Sequence, residues 1–349
     1  TITSGILNTN TTSDPPVNHD LTVTGDVSIT GTLTGNASAI TIGKMLEITN
    51  GGTYAETSGT TLISGQPDGD YVLRNHDGGT YTKHATGILK IARTSASGTK
   101  YAKFGEDVYN DVILENTSSG SVVAIVGVMN LAGDLTVVEG ELRSYGGTGA
   151  IDVDGDVSIE DGGKFSTETS QLAAGGVNAD FGSLTIASGG TYDATPLTTT
   201  ITDESSGGYA LENQGTFTHN FGKVLIDFDT PNKNDNTEVK CNEFYDFEIK
   251  MNGASYSTMF RDLSGDTVTF FGDLTITKGK FDDNVNADTY IIHGNTILES
   301  EGSFGSATNW HTGNITHHGL VVLKGNYYRS NAGGTVKMGG IRNLGGSVL

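Results

Sequence analysis

The chain has 349 residues, with 50 glycines, five prolines, 35 % apolar and 17 % charged residues, and a net charge of −21. Collagen needs a strict glycine period with abundant proline, and long helices need more Ala, Leu, Glu, Lys and Arg, so neither composition fits. The negative charge argues against nucleic-acid backbones and anionic membranes as partners. The longest apolar run, Val122 to Met129, is too short to cross a bilayer.

Taken in chain order, residues 1–20, with Asp14-Pro15-Pro16, read as a leader or linker. Residues 21–42 read as the end of a preceding repeat. From residue 43 a short motif recurs: glycine, a small or polar residue, alternating apolar and Thr/Ser positions, then glycine and an apolar or aromatic residue. Gly133-Asp134-Leu135-Thr136-Val137 leads to Gly140 and Leu142. Gly155-Asp156-Val157-Ser158-Ile159 leads to Gly163 and Phe165. Gly182-Ser183-Leu184-Thr185-Ile186 leads to Gly190 and Tyr192, and Gly272-Asp273-Leu274-Thr275-Ile276 to Gly279 and Phe281. Gly294-Asn295-Thr296-Ile297-Leu298 leads to Gly302 and Phe304, and Gly319-Leu320-Val321-Val322-Leu323 to Gly325 and Tyr327. Gly25 to Leu33 and Gly43 to Tyr54 fit more loosely.

Period-two alternation sends Leu and Ile to one face of a strand and Thr or Ser to the other. The Gly-Asp and Gly-Gly pairs at the ends are expected to supply positive-φ turns. Motif starts lie 22, 27, 22 and 25 residues apart at 133, 155, 182 and at 272, 294, 319, the length of one solenoid coil or one hairpin.

A longer repeat lies above the short one. Thr53-Tyr54 matches Thr191-Tyr192, and Gly69, Tyr71, Leu73 and Asn75 match Gly207, Tyr209, Leu211 and Asn213, all at an offset of 138. Val108-Tyr109 is paired with Phe244-Tyr245 and Asn116 with Asn252 at 136, and Gly133-Asp134-Leu135-Thr136 with Gly272-Asp273-Leu274-Thr275 at 139. Residues 43–181 are therefore read as one unit, 182–318 as a second, and 319–349 as the start of a third or a cap. The matched positions are turns and core, and the charged positions differ. That is the pattern of a scaffold.

The expected fold is all-β: a right-handed β-solenoid (β-helix) built of tandem long repeats, with a string of β-sandwich domains as the alternative. Turns such as Asn213-Gln214-Gly215-Thr216-Phe217 favour the solenoid. Val108 to Asn116 and Phe244 to Asn252 follow another pattern and are expected to interrupt the stack. Cys241 has no partner for an internal disulfide and is expected to be buried beside Phe244-Tyr245-Asp246-Phe247.

The densest carboxylate cluster is Asp152-Val153-Asp154-Gly155-Asp156, followed by Glu160 and Asp161. Calcium takes several carboxylates around a tight glycine turn, which makes Asp152, Asp154 and Asp156 the candidate calcium ligands and calcium the one candidate cofactor. The ordered calcium-loop pattern is not met, and the other copy has Ile291-Ile292-His293-Gly294-Asn295 there, so a solvated turn is the plainer reading. Asp282-Asp283 and Asp227-Phe228-Asp229 are weaker candidates. His311, His317 and His318 lie close together with His293 one coil back, and stacking could unite them around a metal, but His317 and His318 point to opposite faces if they lie on a strand, and a polar strand near a turn is the plainer reading. A glycosidase would need two carboxylates about 5–10 Å apart in a cleft, and no pair is marked out. No nucleophile elbow, phosphate loop or His-Glu-x-x-His occurs, so no catalytic residue is expected. Tyr81, Trp310 and Tyr327-Tyr328 could stack on sugars, but core or inter-coil stacking is the plainer role.

The run from Gly208 through Asn220, then Phe244-Tyr245-Asp246 and Gly272-Asp273-Leu274-Thr275-Ile276, resembles β-repeat structural proteins of tailed, marine-type bacteriophages. Leu21-Thr22-Val23-Thr24-Gly25-Asp26-Val27 resembles the repeats of phage fibres. The resemblance covers most of the chain from residue 21. It implies a virion structural protein, a tail fibre, spike or capsid appendage, located extracellularly on the particle. It also implies self-association, as a trimer by analogy with fibres, contact with other virion proteins, and host attachment through a surface glycan. A bacterial or archaeal surface adhesin is the second reading, because Gly-Asp-Leu-Thr-Ile runs occur there too. A polysaccharide-degrading spike enzyme is the third.

Overall fold

A computed structural model describes residues 1–10, 17–94, 98–117, 120–145, 150–167, 176–228, 236–261, 267–283, 289–305, 314–328 and 335–348. These residues form β-strands and turns, with no helix among them. No described helix is therefore long and apolar enough to cross a membrane. The chain divides into two compact units, Thr1–Ala179 with Ala187–Asp193, and Asp180–Ile186 with Ala194–Leu349. Each is a β-solenoid of stacked parallel strands, as the coil-length spacing predicts.

In the first unit three ladders run from coil to coil. One joins Leu21–Val23, Ile40–Ile42, Thr60–Ile63, Ile88–Ile91, Asp111–Glu115 and the first half of Leu135–Tyr145. A second joins Val27–Ile29, Leu46–Ile48, Tyr71–Asn75, Gly98–Lys103 and Ser121–Val126 to the other half of Leu135–Tyr145. A third is made in two separate sections, one of Thr32–Thr34, Thr53–Ala55 and Thr80–Thr82 and the other of Val108–Tyr109, Met129–Leu131 and Ile151–Ile159. Leu135 and Val137 lie over Val157 and Ile159 in register, all buried, while Thr136 and Ser158 between them are half-exposed. Each fully buried aliphatic side chain in such a row contributes about 1.5–3 kcal/mol.

The second unit repeats the plan. Thr198–Ile201, Lys223–Phe228, Asp246–Met251, Leu274–Asp283, Thr296–Phe304 and Asn314–Leu323 stack in register. Beside them Glu243–Phe244, Thr267–Phe270, Thr289–Ile292 and the start of Asn314–Leu323 form another ladder. The trailing aromatics of the motif stack inside: Phe281 on Phe304 at 4.7 Å and Phe304 on Tyr327 at 5.1 Å between ring centres.

Two expectations are corrected. The segments from Val108 and Phe244 do not interrupt the stack, because Asp111–Glu115 and Asp246–Met251 pair in register with the strands below and above. Their matching is also shifted by one residue. Tyr109 and Phe244 are both fully buried, and their carbonyls accept the amides of Ala132 and Phe271 respectively, so Tyr109 corresponds to Phe244. In the same register buried Asn116 corresponds to buried Met251, not to Asn252. A one-residue slip exchanges inward for outward side chains, and burial therefore fixes the register that spacing alone left open.

Candidate functional site

The recurring Gly-Asp turns have a structural use. The Asp111 carboxylate accepts the amide N–H of Asp134 at 3.0 Å, and Asp134 accepts that of Asp156 at 2.8 Å. In the second unit Asp246 accepts from Asp273 at 2.7 Å, Asp273 from Asn295 at 2.7 Å, and Asn295 from Leu320 at 3.2 Å. Each side chain thus ties one coil to the amide of the next. The glycine before each aspartate makes room for the carboxylate below. A Cβ on Gly133 would lie 1.9 Å from Asp111 Oδ1, and one on Gly272 would lie 2.1 Å from Asp246 Oδ1. Asn110 and Tyr245 occupy the glycine position where the coil below has Ile88 or Lys223 instead of an acid, so there a side chain fits.

The glycines of the Gly-Asp pairs, Gly133, Gly155 and Gly272, do not adopt positive φ, contrary to the turn role expected of them, whereas the Gly-Gly pairs supply it as expected and the trailing Gly140 and Gly279 adopt it too. Left-handed backbone falls instead on the first residue of a later pair, as at Gly162 (φ 85°), whereas its neighbour Gly163 would press a Cβ to 2.3 Å from the Val137 carbonyl oxygen.

Asp152, Asp154 and Asp156 share the outward face of strand Ile151–Ile159, where Asp152 and Asp154 are exposed and Asp156 is half-buried. Among the described residues no group of three or more His, Cys, Asp or Glu side chains converges to hold a metal. Asp227 pairs with Lys250 at 3.2 Å; Asp229 lies outside the described residues. Tyr81 and Tyr327 are buried in ring stacks, and Trp310 lies outside the described residues. Cys241 is buried, and burial pushes its thiol up to about 11, leaving it a poor nucleophile at neutral pH.

The histidines divide. His317 points inward, its ring bonded to Thr296 Oγ1 at 2.6 Å and Tyr327 Oη at 3.0 Å. His318, the next residue, points out. Its ring stacks on that of His293 with centres 4.9 Å apart and planes 5° apart. His311 lies outside the described residues.

This pair belongs to a larger surface feature. Beyond Phe244, Phe270, Ile292 and His317, which are successive rungs of one ladder, the next residues are Tyr245, Phe271, His293 and His318. Phe271 stacks on His293 at 5.8 Å with planes 7° apart. His219 bridges Tyr245 and Phe271 at 5.8 and 5.3 Å, and Phe221 packs edge-on against Tyr245. Phe221 is 73 % exposed, and both it and Asn220 adopt left-handed backbone, at φ 61° and 45°. That conformation disfavours a bulky residue. It is held by Asn220 donating to the Ala194 carbonyl at 2.9 Å and by the Phe221 amide donating to His219 Nδ1 at 3.1 Å. Burial lowers the His219 pKa, which favours the neutral ring able to accept that bond. Spacing alone did not reveal this ridge, although an aromatic or histidine before each turn at 245, 271, 293 and 318 is visible once the register is known.

Comparison with family models, with curated proteins and with solved structures returns no match.

Proposed function

We propose that the chain is a structural protein of a tailed-phage virion, a fibre, spike or capsid appendage, in which the β-solenoid is a stiff scaffold and not a catalyst. The observation that carries this reading is the use of the repeated polar residues. The turn acids at 111, 134, 246 and 273 bond the next coil. The lysines of several strands pair with acids one coil away, as Lys223 does with Glu248 at 2.8 Å and Lys324 with Glu299 at 2.9 Å. Such chemistry serves stacking. The fibre-like sequence runs add the virion context, with extracellular exposure, self-association as a trimer and contact with other virion proteins. Attachment to a host-surface glycan is the role proposed for the exposed face.

Electron microscopy of the purified chain tests the scaffold: an elongated particle is expected, and a compact globular one overturns it. Sedimentation velocity tests the trimer, which a monomer at all concentrations overturns. Antibody labelling of tailed particles tests the location, and labelling of cell envelopes alone would favour the adhesin.

A further inference from the structure

We infer that His293 and His318 form a two-histidine clamp for a borderline divalent transition-metal ion on the outer edge of the second unit, of the class Cu2+, Ni2+ or Zn2+. The two residues lie one beyond the paired Ile292 and His317, on adjacent parallel strands. Their rings are parallel, 4.9 Å between centres, and both side chains are exposed. Phe271 stacks on the His293 ring from the coil below, with ring centres 5.8 Å apart. Two imidazole nitrogens bound to one tetrahedral ion at about 2.0–2.1 Å lie roughly 3.4 Å apart. Because the lone pairs lie in the ring planes, chelation requires the two rings to turn out of their parallel stack, and the exposure of both side chains leaves them room to do so.

The donor set selects the ion. Imidazole suits copper, nickel and zinc, whereas calcium requires oxygen ligands. Two protein ligands leave further positions to water or to a group from another molecule, so the site is open. The carboxylates at Asp152, Asp154 and Asp156 belong to the first unit and take no part.

The test is calorimetric titration of the full chain with Cu2+, Ni2+ and Zn2+, repeated for His293→Ala, His318→Ala and His219→Ala. One ion per chain is expected, with Cu2+ bound most tightly, following the usual order for nitrogen donors. Either substitution in the clamp should weaken binding by about tenfold or more, on the scale that loss of a metal contact produces, whereas His219→Ala should leave it unchanged. Excess Ca2+ should not compete. Far-UV circular dichroism confirms that the variants remain folded, which is expected because both rings are exposed. The inference is overturned if the wild-type chain binds none of the three ions. It is also overturned if both clamp variants bind like wild type, or if Ca2+ displaces the bound ion. Two-nitrogen splitting in the electron paramagnetic resonance spectrum of the Cu2+ complex, lost in each clamp variant, gives an independent readout.

Discussion

The two units use the same turn differently. In the first, the residues that follow the buried rungs Tyr109, Leu131 and Val153 are Asn110, Ala132 and Asp154. In the second, those following Phe244, Phe270, Ile292 and His317 are Tyr245, Phe271, His293 and His318. The backbone register and the acid-to-amide bonds beside the turn are the same in both. Small and polar residues satisfy the fold at this position, so stacking alone does not require rings there. Scattered exposed apolar side chains are ordinary, but a contiguous row is the mark of a surface that meets something.

The largest contrast should come from the core. Phe281 is fully buried between Phe304 and Phe260, with ring centres at 4.7 and 4.9 Å. Phe281→Ala should destabilise the second unit by about 3–5 kcal/mol. Leu142 holds the corresponding trailing position in the first unit and packs over Phe165. Its replacement by Ala should cost about 2–5 kcal/mol, at the lower side of that range because no ring stack is lost. Denaturant unfolding followed by hydrogen exchange in each unit measures both. Equal losses would show that the aromatic column of the second unit adds nothing beyond buried area.

The next effect should have the same form in both units. Gly272→Ala sets a Cβ against the Asp246 carboxylate and should cost about 1–3 kcal/mol by overpacking. Asp246→Ala leaves the Asp273 amide without its acceptor and should cost about 1–3 kcal/mol. In the double variant the crowding is gone, so the two losses should fall short of additive by about 1 kcal/mol or more. The Gly133 and Asp111 pair should show the same sub-additivity, with a smaller loss for Asp111→Ala because its bond to the Asp134 amide is exposed. Additivity in either unit would break the claim that the glycine exists to admit the carboxylate. Phe271→Ala, by contrast, removes an exposed ring from the ridge and should change stability by no more than about 0.5 kcal/mol. A larger loss would return the ridge to the scaffold.

Much of this plan was legible in the sequence. The alternation in Leu135-Thr136-Val137 and Leu274-Thr275-Ile276 gave the strands, and starts 22 residues apart gave the coil, because period and spacing are local properties. What was not legible depends on a neighbour one coil away. The Gly-Asp pair looked like a turn device, yet its partner is an aspartate 22 to 27 residues earlier. The segments at Val108 and Phe244 follow another pattern, with Asn110 and Tyr245 where the other coils have glycine, and the coil below presents Ile88 or Lys223 there and not an acid. Strand alternation puts His317 and His318 on opposite faces, as their adjacency predicts, but which of them turns in to Thr296 and Tyr327 and which out to His293 depends on the register with the neighbouring coil.

The smallest expected effect distinguishes the units by sign. Glu56 in the first unit is buried, and burial raises its pKa from 4.5 against the opposing hydrogen bonds from Tyr81 Oη and the His84 amide. Glu248 in the second unit is lowered from 4.5. Partial burial opposes that shift, but hydrogen bonds from Lys223 at 2.8 Å and Thr277 at 2.8 Å outweigh it. A raised folded-state pKa means that the folded chain holds the proton more tightly. The Glu56 contribution is therefore complete below the unfolded value and is lost as pH rises through the raised one. The Glu248 contribution is complete above the unfolded value and is lost as pH falls through the lowered one. Glu56→Gln should accordingly flatten the stability loss of the first unit above about pH 4.5, and Glu248→Gln that of the second unit below about pH 4.5. Other carboxylates titrate in the same range, so each variant is compared with wild type at every pH, and the difference isolates one group. Hydrogen exchange of amides in Thr53–Ala55 and in Asp246–Met251 reports each unit separately. If both differences run in the same direction with pH, the two carboxylates do not occupy opposite environments, and the contrast between the interior of one unit and the paired surface of the other fails.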